Sequence, residues 1–311
     1  MLRIATRRSA LALWQAEHVR GLLGARGHEC ELVRVQTEGD RLLDRSLAAV
    51  GGKGLFVKEL ERALAHGRAD LAVHSAKDVP FGLPEGFSLC AFPVREDPRD
   101  ALVAPRAKLF SQLPRGARIG TSSLRRAVQL LALRPDLRIV PVRGNVQTRI
   151  ARAGHLDGVV LALAGLRRLK LEERVTEVLP LEISLPAAGQ GALAIQAVDG
   201  SPGALASSEL DDHATARCVR AERAVLARLA GGCTMPIAAH AVQEGRNLWL
   251  RAALGAPDRY GGVRVVRAEA RGPIAEALGN SVAEGLLDRG GSPLLAAAWA
   301  SAAGLLAPNH E

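Results

Sequence analysis

Residues 118–162 read RIGTSSLRRAVQLLALRPDLRIVPVRGNVQTRIARAGHLDGVVLA, and this stretch decides the fold class. Three short apolar segments, Arg118–Gly120, Arg138–Val142 and Gly158–Ala162, alternate with helical spacing over Leu124–Leu133 and Asn145–Ala153. Such strand–helix–strand alternation predicts a mostly parallel sheet with helices on both faces. The same rhythm runs through the N-terminal part. Leu2–Thr6 reads as a strand, and Ser9 caps a helix with Ala12, Ala16, Val19 and Leu23 on one face. Strand Cys30–Val35, a glycine-bearing loop Thr37–Lys53, helix Phe56–His66 and strand Asp70–His74 follow. Two similar α/β lobes in tandem imply a doubly wound, bilobal architecture with a cleft between the lobes.

Pro93, Pro98 and Pro105 mark a crossing from one lobe to the other, and the proline- and glycine-rich Leu179–Gly191 marks a second, before the apolar segment Ala192–Ala197. The last hundred residues change character. Helix His213–Leu229 ends at Gly231-Gly232, and Pro236–Val242, Leu248–Leu254 and Val263–Ala270 read as a three-stranded antiparallel meander. Helical patterns Ile274–Leu287 and Pro293–Ala307 close a small C-terminal α+β domain.

Composition narrows the chemistry. The formal charge is +9, and 36 of the 41 basic residues are arginine. Aromatic residues make up 3% of the chain and no long basic run occurs, so single-stranded nucleic acid is a poor match. The dispersed arginines suit small carboxylates or phosphates. Cys30, Cys90, Cys218 and Cys233 are scattered without a C-x-x-C pair, which argues against a disulfide framework and a zinc site. The apolar stretch Ala10–Trp14 is too short for a signal-peptide core, and no run is long enough for a membrane span. The expectation is a cytoplasmic protein.

In open α/β sheets ligands bind beyond the carboxyl ends of the strands. There this sequence places Arg7 and Ser9, then Ser75, Lys77 and Asp78, then Thr121, Ser123, Arg125 and Arg126, and finally Arg143 with Arg149 one turn on. Hydroxyls and free N–H groups at helix starts, joined by arginines, describe an anion-lined cleft. Asp78 stands alone among these cations. It is either a cap or salt-bridge partner of Lys77, or a carboxylate aimed at a substrate that develops positive charge. Cys233, in Gly231-Gly232-Cys233-Thr234-Met235-Pro236, is either an inert linker residue or a thiol favoured as thiolate by a basic cleft.

At these residues the chain resembles the porphobilinogen deaminase (hydroxymethylbilane synthase) family, in segments that match in order from end to end. They are Arg3–Arg7 with Leu11–Ala16, Gly51–Leu60, Ala72–Pro80, Glu96–Ala101, Gly120–Arg126, Arg143–Val146, Leu185–Gly191, and Glu222-Arg223 with Gly231–Cys233 and Pro236. The resemblance implies a transferase that condenses four porphobilinogens on a covalent dipyrromethane primer, without a metal. It implies that Cys233 holds the primer by a thioether and that Asp78 is the catalytic carboxylate. Ser75, Lys77, Thr121, Ser123, Arg125, Arg126 and Gly189 would contact the cofactor. Arg7, Ser9, Phe56, Arg143, Arg149 and Arg168 would contact the substrate. The implied fold has two periplasmic-binding-protein-like lobes, 1–95 with 191–208 and 99–186, and a third domain, 213–311, in a monomer.

Three positions depart from the family pattern. Ala49 stands where a lysine is frequent, Gln196 where a glutamate is common and Met235 where a branched residue is usual; the last two read as tolerated packing changes. Two rival readings are a non-catalytic bilobal anion-binding protein, which gives no role to the third domain or Cys233, and a nucleic-acid binder, which lacks aromatic platforms.

Overall fold

The computed structural model describes residues 1–35, 57–230, 235–258 and 262–301. The first sheet combines β1 (Leu2–Thr6), β2 (Cys30–Arg34), β3 (Leu71–Ser75), β4 (Phe87–Ala91) and β10 (Leu193–Val198) in the order β2-β1-β3-β10-β4. Helix α1 (Ala10–Gly24) begins where the Ser9 Oγ accepts the Ala12 N–H at 3.3 Å. Its Ala16, Val19 and Leu23 are buried in one cluster with Ile4, Leu71 and Ile195. Helix α2 (Lys58–Ala65) packs Leu60, Ala63 and Leu64 with Ala5 and Ala72 in a separate cluster.

The second sheet has the order β7-β6-β8-β5-β9, from β5 (Asp100–Val103), β6 (Arg118–Gly120), β7 (Arg138–Val140), β8 (Gly158–Ala162) and β9 (Glu177–Val178). Helices α3 (Leu124–Leu133), α4 (Val146–Arg152) and α5 (Leu163–Arg168) connect and cover it. Both sheets are mixed rather than mostly parallel. β1 pairs in parallel with β2 and β3, whereas β10 runs antiparallel to β3 and β4. The second lobe repeats this, with β5 antiparallel to β8 and β9. The antiparallel β5 comes from a crossing that the sequence showed only as proline-punctuated chain, and β10 is the apolar segment after the second crossing, whose direction the sequence left open. Strand pairing across such distances leaves no local periodicity, and four residues such as Asp100–Val103 are too few to reveal one.

The crossings touch backbone to backbone. The Glu96 N–H donates to Gly191 O at 3.2 Å, and a Cβ on Gly191 would meet Glu96 O at 2.3 Å. Gly191 also has φ +86°, so glycine is required there twice over.

Helix α6 (Pro202–Ser208) returns the chain across the first lobe, and α7 (His213–Arg228) opens the C-terminal part. There β11 (Ile237–Glu244), β12 (Asn247–Pro257) and β13 (Val263–Gly272) form the antiparallel meander. Helices α7, α8 (Ala275–Leu286) and α9 (Ser292–Ser301) enclose one core with it, including Val225, Leu250, Leu254, Val282 and Leu286. Among the described residues no helix is long and apolar enough to cross a membrane.

Candidate active site

The strongest charge cluster is built around a residue given no role by the sequence reading. Asp100, the first residue of β5, is fully buried. Its carboxylate meets Arg125 Nη1 at 2.8 Å and Arg126 Nη2 at 2.7 Å. Ser184 Oγ donates to it at 2.7 Å and Gln190 Nε2 at 2.8 Å. Burial alone would raise this carboxyl, but the two guanidiniums overcome that and hold it far below the usual carboxylate range. Arg125 also donates to Leu185 O at 2.6 Å and Arg126 to Val160 O at 3.0 Å. The arginines are thus fixed by β5, β8 and the return crossing together. Upstream, the Ser123 Oγ caps α3 by accepting the Arg126 N–H at 3.4 Å, and the Thr121 Oγ1 accepts the Ser123 N–H at 3.2 Å.

Gln190 joins this cluster to the end of β3, because Lys77 Nζ donates to its Oε1 at 3.2 Å. Lys77 is half-buried, and crowding by protein pulls its ammonium down to about 8, with Asp78 and Asp100 opposing and Arg126 and Arg125 assisting. Arg149 donates to Gly144 O at 2.9 Å; burial lowers its pKa, Arg126 adds to that and Asp78 opposes it. Four cations, Lys77, Arg125, Arg126 and Arg149, therefore share the fields of two carboxylates, Asp78 and Asp100. Arg126 Nε is buried with no hydrogen-bond partner among the described residues. A donor set with this charge excess fits a ligand carrying several carboxylates, as a dipyrromethane does.

Asp78 ends a 3-10 turn, Ala76–Asp78, directly after β3, and it is exposed. Among the described residues no hydrogen bond or ion pair to its carboxylate is seen, although its charge acts on Lys77. The turn is held from two sides. Arg223 of α7 donates to Val79 O at 3.0 Å, Pro80 O at 2.6 Å and Phe81 O at 3.2 Å. Gly189, at φ +73°, lies so close that a Cβ would meet Ala76 Cβ at 3.0 Å and Lys77 N at 3.1 Å. Ser75 Oγ accepts from the buried Gln15 Nε2 at 2.8 Å.

Glu222, the neighbour of Arg223, is completely buried. It receives Arg95 Nη1 at 2.6 Å and Nη2 at 3.0 Å, the Gly189 N–H at 2.6 Å and the Ala241 N–H at 2.9 Å, with His240 Nδ1 at 3.3 Å. Burial would raise it; Arg95 and His240 hold it at about 2. One carboxylate thus ties α7 to the return crossing, to Arg95 and to β11. Cys233 and Phe56 lie outside the described residues.

The remaining sequence-predicted residues divide. Ser9 caps α1, Arg7 is half-buried close enough for its charge to act on His74, and Arg143 is exposed. Arg168 is buried, donates to Gly191 O at 2.6 Å and sits 5.7 Å from the Trp14 ring centroid. Its place is the junction of α1, α5 and the return crossing, where burial lowers it to about 10. Sequence reasoning matched the segments holding Asp100, Gln190, Glu222 and Arg223 without giving those residues roles. The available signal was an acid or amide lying beside buried-looking arginine pairs. Among the described residues no cluster suited to a metal ion occurs.

Asp100→Asn tests the hub. The isostere leaves two buried guanidiniums without their counter-charge, and breaking such a pair costs about 3–5 kcal/mol. Denaturant unfolding monitored by circular dichroism should show that loss; a change below about 0.5 kcal/mol, the range of a surface substitution, would show that the hub does not hold the second lobe.

The chain matches the family model described as "Porphobilinogen deaminase, dipyromethane cofactor binding domain" over residues 2–205 and that described as "Porphobilinogen deaminase, C-terminal domain" over residues 216–288. It is 52% identical over 303 residues to a porphobilinogen deaminase of Syntrophotalea carbinolica, covering 95% of each chain. Among solved structures, it is similar to a periplasmic substrate-binding protein of an ABC transporter from Coxiella burnetii, with TM-score 0.42 and 14% identity, over 70% of this chain and 94% of that one. It is also similar to a nutrient-binding protein from Burkholderia cenocepacia, with TM-score 0.41 and 12% identity, over 66% of this chain and 89% of that one. On the family models and the 52% relative, the chain belongs to the porphobilinogen deaminase family.

Proposed function

We propose that the chain condenses four porphobilinogens head to tail onto a dipyrromethane primer on Cys233, releasing ammonia at each step, and that water finally cleaves the tetrapyrrole from the primer as hydroxymethylbilane. The carrying observation is Asp78, an exposed carboxylate at a strand end, close to Lys77 and Arg149 and clamped through its turn by Arg223. When bound, the primer supplies the pyrrole α-carbon that attacks the incoming unit.

Loss of ammonia from the aminomethyl arm of porphobilinogen leaves an azafulvenium cation with its charge on the pyrrole nitrogen. Asp78 accepts that N–H and stabilises the charge as it forms. After the new carbon–carbon bond closes, the same carboxylate favours loss of the ring proton that restores aromaticity. Lys77, Arg125, Arg126 and Arg149 hold the acetate and propionate groups, assisted by Ser75, Thr121, Ser123 and Gly189 at the cofactor end. Arg7, Ser9, Phe56, Arg143 and Arg168 complete the substrate contacts. In this reading the working unit is a cytoplasmic monomer without nucleic-acid or membrane partners. Its domains divide at 1–95 with 191–208, 99–186 and 213–311.

Intact mass spectrometry tests the proposal. The purified protein should weigh more than its sequence by two linked pyrrole units, and peptide mapping should place them on Cys233. A protein at its bare sequence mass that neither acquires pyrroles from porphobilinogen nor forms a tetrapyrrole would leave only a binding role.

A further inference from the structure

The chain on the two sides of Asp78 is held differently. Upstream it is tied to the sheet: Ser75 pairs with Leu193 of β10, and the Ala76 N–H donates to Ala192 O at 3.0 Å. Downstream, residues 79–86 form neither strand nor helix before β4 begins at Phe87. Pro80 and Pro84 have no N–H to donate. Among the described residues no backbone N–H reaches the carbonyls of Val79, Pro80 or Phe81.

Helix α7 supplies what the backbone lacks. Val219 and Arg223 lie one turn apart on the same face of it. Val219 is buried in a cluster with Ala76 and Val79. From the next turn Arg223 Nη1 donates to Val79 O at 3.0 Å, and its Nη2 is shared between Pro80 O at 2.6 Å and Phe81 O at 3.2 Å. Packing of Val79 on Val219 locates the segment, and the planar guanidinium fixes the direction of three successive carbonyls. Asp78 is exposed at the end of its turn, with no hydrogen bond or ion pair to its carboxylate among the described residues. The backbone on either side therefore sets where that carboxylate points.

We propose that Arg223 is a positioning residue for Asp78: its grip on the three carbonyls that follow the turn aims the carboxylate from the helix that leads to Cys233. This rests on the reading of Asp78 as the catalytic carboxylate. It gives Arg223 a part in turnover without contact to substrate.

Arg223→Ala should fold, because Val79 stays packed on Val219 and Glu222 keeps the Gly189 and Ala241 N–H groups. On protein whose primer is confirmed by intact mass, the single-turnover rate should fall about ten- to a hundred-fold, the scale on which a misplacement of about 1 Å acts. KM for porphobilinogen should stay within about two-fold, since Lys77 is held by Gln190 and not by Arg223. Arg223→Lys keeps the charge but loses the planar fork, and its rate should fall between the two.

A double-mutant cycle decides whether Arg223 acts through Asp78. The Asp78→Asn, Arg223→Ala protein should be no more than about three-fold slower than Asp78→Asn alone, whereas independent contributions would multiply. A second readout needs no activity. The Val79 N–H closes the turn onto Ala76 O at 3.3 Å. In Arg223→Ala that amide should exchange with solvent at least about ten-fold faster, while the amides of β3 and β10 keep their protection.

Parent-like turnover by Arg223→Ala where Asp78→Asn is slow, losses that multiply in the double variant, or unchanged exchange at Val79 would each overturn the assignment. If Arg223→Ala does not fold or take the primer, Arg223→Lys carries the same cycle with the same expectations. If Val79 exchange responds but Asp78→Asn turns over within a few-fold of the parent enzyme, the reading of Asp78 as catalytic fails while the clamp on its turn stands.

Discussion

Asp78→Asn should lower turnover by roughly 10²–10⁴-fold, the range for general acid–base assistance, while leaving the fold intact. Asparagine keeps the size and one hydrogen-bonding oxygen but removes the charge that faces the pyrrolic cation. A preorganised electrostatic contact is worth about 3–4 kcal/mol, and the two effects overlap in one side chain, so they do not multiply. The structure makes the test clean. Asp78 is exposed, and its turn is held by backbone contacts with Arg223 and by packing against Gly189, none of which uses the carboxylate. The stability change should therefore stay within about 0.5 kcal/mol, as for surface positions generally. Asp78→Glu should retain more activity, since the charge survives one methylene out of place. Single-turnover rates on primed protein decide the matter; an asparagine variant within a few-fold of the parent enzyme would move the catalytic group elsewhere in the cleft.

What the sequence made legible was what local chemistry writes. Ser9 at the start of a three-to-four spaced helix, and the alternation over residues 237–272, carry their structure in neighbouring residues. The strand-end positions of Ser75, Lys77, Asp78, Ser123 and Arg126 follow from the same local pattern. The antiparallel β5 and the direction of β10 were hidden because their partners lie far along the chain. Asp100 and Glu222 were hidden for a related reason: a buried acid declares itself only through partners at residues 125, 126, 184 and 190, or at 95, 189 and 241. Arg168 shows the opposite limit. An arginine at a helix end suggests a ligand contact, and nothing local announces that it also braces the lobe junction through Gly191 and Trp14.

Those partners also set the response to acid. His74 is neutral in the fold down to about 4, whereas an unfolded histidine charges near 6.5, so its contribution is complete above that value and is lost as pH falls between the two. Glu222 adds stability above its ordinary carboxyl range that is lost as pH falls toward about 2. Both slopes have the same sign, and the fold loses stability on the acid side.

Cys233→Ala should yield a folded protein with no covalent pyrrole and no measurable tetrapyrrole formation, because a methyl group cannot make a thioether. The other thiols are poor substitutes. Cys218 is buried on α7 and pushed up to about 11 by burial, with Glu222 adding to the effect, and burial also raises Cys30 and Cys90. Thiolate is the nucleophilic form, so each is disfavoured at neutral pH. The chain on both sides of Cys233 stays anchored without the primer, since Glu222 on α7 accepts the Ala241 N–H of β11 and the Gly189 N–H of the return crossing. Loss of the primer does remove its carboxylates from a cleft in which Lys77, Arg125, Arg126 and Arg149 crowd together, so the alanine variant should unfold cooperatively but at lower denaturant than the primed enzyme. The parent chain prepared without primer is the matched control and should unfold at the same denaturant concentration as the variant. An alanine variant that still carries the mass of two pyrroles would shift the attachment to Cys30, Cys90 or Cys218. One that lacks the mass yet makes tetrapyrrole at the parent rate would remove the covalent primer from the reaction altogether.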